Sequence, residues 1–195
     1  MLLAWLTALA VTLAPAWLPL SGQAHAALAV ALDLDELVAG SEACIVGRAV
    51  ERRSEWVELG GGRRIVTYTR IEVERTVFGR ERASVWIRTL GGAVDGIGQV
   101  VSGEARLRPG QRALLFLHRA PDRAFTVTAL AQGHYPLVER DGAPATLAAS
   151  PDPGTLVGRS TPLPQPTARE RLVGRALDDA TALVREAKAR RDATP

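Results

Sequence analysis

The segment RIVTYTRIEVERTV, residues 64–77, alternates in character from one residue to the next. Its odd-numbered positions from Ile65 to Val77 are mostly apolar or threonine, and its even-numbered positions from Val66 to Glu74 are mostly polar. Neighbouring side chains of a strand point to opposite faces of the sheet, so this period of two predicts an antiparallel strand that is buried on one face. We therefore expect Ile71 to point into the core.

Five further segments between residues 43 and 140 also have strand character and are separated by turns. They are ACIVGRAVERR, SVWIRTL, RALLFLH, AFTVTAL and HYPLVER. Gly47 in the first segment indicates a strand that bends sharply, and Pro136 in the last indicates a strand at the edge of the sheet. Short strands with no long helix between them predict a mainly β fold, a small barrel or sandwich of about six strands.

The segment LDLDELVAGS, residues 32–41, predicts a short helix before the first strand. Asp33 is placed to cap the first turn, and Glu36 is placed to reach back to the Asp33 amide in a capping box. Gly40 is placed to end the helix in the left-handed conformation. Because capping explains the three acids Asp33, Asp35 and Glu36, we do not interpret them as metal ligands.

The composition changes after Leu147. The stretch SPDPGTLVGRSTPLPQPT is rich in proline and predicts an extended linker over residues 148–166. A second capping box at Thr167 and Glu170, followed by apolar residues at helical spacing, predicts an amphipathic C-terminal helix over residues 167–195. The β domain then spans residues 27–147.

The first 26 residues, MLLAWLTALAVTLAPAWLPLSGQAHA, have the pattern of a signal peptide. An apolar run is followed by the small-x-small triplet Ala24-His25-Ala26, although no lysine or arginine precedes the run. Pro15 and Pro19 interrupt the run and disfavour an uncleaved membrane span. We therefore expect an exported protein, periplasmic or extracellular, whose mature chain begins near Ala27 and keeps no stable membrane span.

The single cysteine, Cys44, excludes an internal disulfide. It lies in the apolar stretch EACIVGRAV, so we interpret it as a buried, inert thiol. Lys188 is the only lysine, and arginine supplies nearly all of the positive charge. The formal net charge of +3 is too small to indicate nucleic-acid binding by itself.

Residues 88–111, RTLGGAVDGIGQVVSGEARLRPGQ, contain six glycines and are called the glycine-rich segment below. A phosphate-binding loop needs Gly-Lys-Ser or Gly-Lys-Thr, which is absent. A dinucleotide fingerprint needs a third glycine after Gly96 and Gly98, where Val101 stands, and a helix instead of the strand that follows. We therefore predict a corner of the β domain and no cofactor.

The sequence gives no catalytic constellation. His118 and His134 are the only histidines after the predicted cleavage site, and neither His-Glu-x-x-His nor Cys-x-x-Cys is present. Ser102 lacks the sharp strand-to-helix turn of a serine nucleophile. Glu104 and Asp95 are a possible carboxylate pair that sequence alone does not place. We interpret both histidines as strand-end residues and assign no catalytic, cofactor or metal-binding residue.

Several quoted segments together resemble a domain of exported bacterial proteins. LDLDELVAGSEACIVGRAV, TYTRIEVERTVFG, VWIRTLGG, GEARLRPGQRALLFL and AQGHYPLV follow one another in an order similar to the netrin-like, or TIMP-like, type of OB barrel. The resemblance covers roughly residues 30–140 and implies a small antiparallel barrel with a short N-terminal helix. The animal family uses disulfides, and its protease inhibitors use an N-terminal cysteine. Cys44 matches neither, so no functional residue is carried over.

Two functions remain open at this point. The first is an exported, non-enzymatic module that binds an envelope or extracellular protein or a glycan. The second is a small exported hydrolase with carboxylates or His134 at the mouth of the barrel. Nucleic-acid binding is disfavoured, because export removes that ligand and we expect no strand face that combines basic and aromatic side chains.

Overall fold

The computed structural model describes residues 28–152, 154–157 and 166–193 of the 195-residue chain. The predicted signal peptide, residues 1–26, lies outside the described residues, as does much of the predicted linker. The described chain is mainly β, as the sequence predicts.

The described residues form eleven strands and three α-helices. The strands are β1 Leu28–Val30, β2 Ala43–Leu59, β3 Gly62–Phe78, β4 Ser84–Leu90, β5 Gly92–Val94, β6 Ile97–Gln99, β7 Arg112–Arg119, β8 Phe125–Val127, β9 His134–Arg140, β10 Ala143–Leu147 and β11 Thr155–Val157. The helices are α1 Leu34–Ala39, α2 Ala168–Leu172 and α3 Leu177–Asp192, and a 3₁₀ turn spans Leu130–Gly133. All six predicted strands are present, as β2, β3, β4, β7, β8 and β9. The predicted count of about six strands was too low. The other five strands are only three to five residues long, which is too short to give a clear alternating pattern in the sequence.

The main sheet has seven strands in the order β10-β9-β7-β2-β3-β4-β8. Its pairs are antiparallel except for β4 with β8, where Ile87 lies opposite Phe125. Strand β8 also pairs with β7, through Leu117 and Val127. The strand pairings therefore form a circuit, in the order β7, β2, β3, β4, β8 and back to β7.

Strand β9 is not at an edge of this sheet, so the interpretation of Pro136 was wrong. It lies between β7 and β10, and Pro136 is opposite Ala113 of β7. Pro136 lacks an amide donor, but its carbonyl accepts a hydrogen bond from the Ala148 amide at 2.8 Å.

Strand β3 changes its buried face part-way along its length, which the alternation did not predict. Val46 lies opposite Arg75 while the next residue, Gly47, lies opposite Val73, so β3 carries one extra residue at Glu74. Such a bulge bends the strand and reverses the alternation beyond it. Ile71 and Val77, predicted to share one face, consequently belong to two different cores.

The first core lies on one face of the sheet and is built largely by β2, β3, β4, β7 and β8, the five strands of this circuit of pairings, which we call the ring strands. Its buried members are Ile45, Ala49, Ile71, Val85, Ile87, Ala105, Leu107, Ala113, Leu115, Leu117, Phe125 and Val127. Residues 105 and 107 come from the glycine-rich segment, so this segment closes part of the core. The prediction that Ile71 points into a core is confirmed, since its side chain is 1 % exposed.

The second core lies on the opposite face, between the sheet and the helices. Its buried members include Leu34, Leu37, Val38, Cys44, Val46, Val77, Leu114, Phe116, Leu172, Leu177 and Val184. The C-terminal helical region therefore packs on the sheet and on α1. Cys44 is fully buried, and burial raises the pKa of its thiol, as expected for an inert residue.

Both predicted capping boxes are present, at Asp33 with Glu36 and at Thr167 with Glu170. Two other helix predictions were wrong. Gly40 has a φ of −78°, which is right-handed. The C-terminal helix is not continuous, because the chain leaves α2 at Val173 and Gly174 adopts a φ of +83° before α3 begins. The Gly174 amide then donates to the Leu147 carbonyl at 2.7 Å, which ties this break to β10.

Candidate functional site

The glycine-rich segment leaves β4 through two glycines with positive φ, Gly91 at 86° and Gly92 at 140°. It then forms the small hairpin of β5 and β6, whose turn is Asp95-Gly96. Residues 100–111 return to β7 without forming a strand or helix. The sharp change of direction at Gly91 and Gly92 is what a corner requires, and no helix follows it.

Hydrogen bonds fasten this segment to β3. The Thr67 hydroxyl donates to the Gly91 carbonyl at 2.6 Å, and the Gly91 amide donates to the Ile65 carbonyl at 2.8 Å. The side-chain oxygen of Gln99 accepts from the Ile65 amide at 2.8 Å. Because the Gly91 amide already has a backbone partner, it is not available to hold a phosphate.

A cavity of about 360 Å³, which we call the Arg52 cavity, lies between this segment and the β2–β3 hairpin. Its lining is Arg52, Thr67, Thr89, Leu90, Gly91, Gly92, Ala93, Gln99, Val100, Val101, Glu104, Ala105, Arg106, Leu107 and Arg108. The volume falls in the range of small-molecule sites. Three arginines and a single carboxyl group make the lining predominantly basic.

A second cavity of about 340 Å³, the His118 cavity, shares Leu90 and Glu104 with the first. Its lining is Leu59, Arg88, Leu90, Glu104, His118, Thr126, Val127, Ala129 and Leu130. Ala129 and Leu130 both have positive φ, at 52° and 59°. Two successive non-glycine residues in this conformation are strained, and such strain occurs often at functional sites.

Glu104 forms part of the wall of both cavities and is 7 % exposed. Burial raises the pKa of its carboxyl group, while the amides of Leu90 and Ala105 and the charge of Arg88 oppose the rise. Arg52, Arg106 and Arg108 line the first of these cavities together with Glu104, and His118 lines the second. A buried carboxyl group whose ionisation is disfavoured lowers stability at neutral pH and is a common feature of functional sites.

We expect Glu104→Gln to raise the melting temperature at pH 8. The pKa of Glu104 is higher in the folded state than in the unfolded state. The wild-type protein therefore loses stability as the pH rises through the folded-state pKa. The gain should shrink below about pH 4.3, where the wild-type group is protonated in both states. The melting temperatures of the two proteins are compared by circular dichroism at pH 8 and below about pH 4.3. Glu139→Gln is the control, because Arg112 lowers the pKa of Glu139 and its replacement should bring no gain.

Arg88 is the buried cation beside Glu104, and its guanidinium forms an ion pair with Asp122. This hydrogen bond lowers the pKa of the Asp122 carboxyl group. His118 lies across the same cavity and contacts the Thr126 hydroxyl, with Nε2 at 3.1 Å. The His118 cavity therefore contains an acid, a buried cation and an imidazole, and only the acid and the histidine were considered from sequence.

The other candidates are not brought together. Asp95 is exposed in the turn of the β5–β6 hairpin, whereas Glu104 is buried, so the two carboxyl groups lie in different environments. Ser102 is half-buried in the irregular part of the glycine-rich segment and has no hydrogen bond to a histidine among the described residues. Asp35 pairs with Arg190 at 2.8 Å.

His134 does not line either of these cavities. It is the first residue of β9, at a strand end as predicted, and is 1 % exposed. Its Nδ1 lies 3.0 Å from the Ser150 hydroxyl, and its Nε2 has no partner in the described part of the chain. Burial lowers the pKa of His134 to about 4. The imidazole is consequently neutral at physiological pH and a weak base.

Acid should destabilise the fold through His134. Its folded pKa of about 4 is below its usual value of 6.5, so its stabilising contribution is complete above pH 6.5 and is lost as the pH falls towards 4. The loss reaches about 3 kcal/mol, by the difference between the two pKa values. The free energy of unfolding, measured by urea denaturation from pH 7 to pH 4, should decrease more steeply for the wild type than for His134→Gln. If His118→Gln flattened the curve equally, His134 would not be the cause.

One strand face combines aromatic and basic side chains, contrary to the sequence expectation. The Arg53 guanidinium stacks over Tyr68 at 5.6 Å and over Trp86 at 5.1 Å. Arg70 lies on the same face and pairs with Glu51 at 3.1 Å. The alternating pattern of each strand did not reveal this set, because its members come from β2, β3 and β4.

No protein-family model, curated protein or solved structure matches this chain. Among the residues that the structure describes, none of the helices is both long and apolar enough to cross a membrane.

Proposed function

We propose that this protein is an exported, non-enzymatic binding module of the bacterial cell envelope or secretome, built on an OB-type barrel. The circuit of pairings β7–β2–β3–β4–β8–β7 supports the barrel, because an OB barrel is a five-stranded Greek-key arrangement. The glycine-rich segment occupies the chain between the third and fourth ring strands, where an ordinary OB fold has a helix.

The Arg52 cavity is the observation that carries the proposed binding function. Its lining combines an exposed residue, Val100 at 80 %, with the buried Thr67 and Thr89. Among the described residues, its lining contains no histidine, cysteine or serine, and Glu104 supplies its only carboxyl group. A single buried carboxyl group does not supply the paired acid and base of a hydrolase. This composition favours ligand binding over turnover.

The predicted signal peptide supports an envelope or extracellular partner, either a protein or a glycan. Export is tested by mass spectrometry of the periplasmic and secreted fractions. We expect an N-terminus at Ala27, following the Ala24-His25-Ala26 triplet. A cytoplasmic protein with intact Met1 would contradict export and with it the proposed class of partner.

Binding in the Arg52 cavity is tested by filling it. Residues 27–195 should sediment saturably with purified bacterial envelopes, and Val101→Trp should abolish this sedimentation, because Val101 lines the cavity. Val138→Trp is the matched control, since Val138 is an exposed valine of β9 outside the cavity. Equal sedimentation of both variants, with equal melting temperatures, would place the binding surface elsewhere.

The alternative function is a small exported hydrolase with its site in the His118 cavity. The observation that favours it is the buried carboxyl group of Glu104, whose raised pKa suits a general acid, near Arg88 and His118. Hydrolysis of chromogenic ester or glycoside substrates, lost in Glu104→Gln, would support this alternative and contradict the binding module.

A further inference from the structure

We propose that the Arg52 cavity binds a saccharide that carries an oxyanion, with the anionic group held by Arg52 and Arg108. This inference rests on the proposed function, and it specifies the class of ligand. The side chains of Arg52, Arg106 and Arg108 come from β2 and from the glycine-rich segment and meet around one cavity. An arginine fork matches the geometry of a carboxylate, sulfate or phosphate group.

The residues that the structure describes do not balance the positive charge of this cavity. Arg106 forms an ion pair with Asp152 at 2.8 Å. Neither Arg52 nor Arg108 has a carboxylate partner among the described residues, and both line the same cavity. Glu104 is the only acidic residue of the lining in the described part of the chain, and it is buried. An anionic ligand would supply the missing charge.

Gln99 provides a further donor with no partner. Its side-chain oxygen accepts from the Ile65 amide, which fixes the orientation of the carboxamide. Its side-chain NH₂ group has no hydrogen bond in the described part of the chain and belongs to a residue that lines the cavity. A cavity lined by an amide NH₂ and by guanidinium groups is suited to a ligand rich in oxygen acceptors.

The remaining lining favours a compact ligand with an apolar face. Leu90, Val101 and Leu107 contribute aliphatic surface. The hydroxyl groups of Thr67 and Thr89 each donate to a backbone carbonyl, so they can only accept hydrogen bonds from a ligand. The volume of about 360 Å³ is at the small end of known ligand sites. A sugar ring has both an aliphatic face and peripheral hydroxyls. A bare phosphate would use neither, and the Gly91 amide is already paired with Ile65.

The inference is tested by isothermal titration calorimetry on residues 27–195 at low ionic strength. The probes are methyl glucuronide, methyl glucoside, which lacks the carboxylate, and inorganic phosphate. We expect saturable binding of methyl glucuronide, with methyl glucoside and phosphate at least about tenfold weaker. Added sodium chloride should weaken the binding of methyl glucuronide, because the arginines are partly exposed to solvent.

The double variant Arg52→Gln/Arg108→Gln should lower the affinity for methyl glucuronide by about tenfold or more. The control is Arg140→Gln/Arg191→Gln, which removes two exposed arginines outside the cavity and should leave the affinity unchanged. An unchanged affinity in the first variant would overturn the assignment to Arg52 and Arg108.

The other outcomes are also decisive. Equal binding of methyl glucuronide and methyl glucoside would overturn the role of the anion and leave the binding module intact. Binding of phosphate without binding of methyl glucuronide would contradict the proposal that the ligand is a saccharide. Absence of binding by all three probes would overturn the inference, while envelope sedimentation with the Val101→Trp variant judges the proposed function separately.

Discussion

Replacing Ile71 with alanine should lower the free energy of unfolding by about 2–5 kcal/mol. Ile71 is 1 % exposed and lies opposite Ala49 of β2 and Val85 of β4, within the first core. Removal of its side chain leaves a cavity among residues from several strands, which cannot all move inward to fill it. Urea denaturation of residues 27–195, monitored by circular dichroism, measures the change.

The control for this change is the next residue along the strand. Glu72 is exposed and its contact with Arg70 is a surface ion pair at 3.4 Å. Glu72→Ala should therefore cost about 0.5 kcal/mol or less. Equal losses in the two variants would show that β3 has the opposite register at this point.

Replacing Gly92 with valine should also cost about 2–5 kcal/mol, by two mechanisms. Its φ of 140° lies in a region that side chains other than glycine rarely adopt, which adds on the order of 1–2 kcal/mol of strain. A β-carbon at this position would also lie 2.4 Å from the Thr67 hydroxyl and 2.6 Å from that of Ser54. Displacing this hydroxyl pair adds an overpacking cost of about 1–3 kcal/mol.

Gly98→Val is the matched control in the same segment. A β-carbon at Gly98 would have no atom within 4 Å, and the backbone there has no positive φ. Its replacement should change stability by about 0.5 kcal/mol or less. Thermal unfolding of the two variants compares them directly. A Gly92→Val protein as stable as Gly98→Val would contradict the corner at the end of β4.

The parts of the fold that depend on local signals were predictable from the sequence. The capping boxes at Asp33 and Thr167 each need only residues within one helical turn, and both are present. The alternation of β3 was interpreted correctly around Ile71 and wrongly at Val77. The bulge that separates them arises from the register against β2, which is a long-range property of the sheet.

The candidate site was only partly predictable, for the same reason. Glu104 was considered from sequence as one of a carboxylate pair, but its burial was not predicted. It lies in an irregular part of the chain, beside Ala105, which belongs to the first core. Arg52 and Arg108 are 56 residues apart and resemble ordinary charges in an arginine-rich chain. Only the path of the glycine-rich segment across the β2–β3 hairpin brings their side chains to one cavity.

The most direct test of ligand binding in the Arg52 cavity is a nuclear magnetic resonance titration of ¹⁵N-labelled residues 27–195 with methyl glucuronide. We predict saturable shifts of backbone amides at Arg52, Thr89 and residues 99–108, with methyl glucuronide recovered chemically unchanged. Shifts confined to the face of Arg53, Tyr68 and Trp86, or release of glucuronate during the titration, would contradict a non-enzymatic binding site in this cavity.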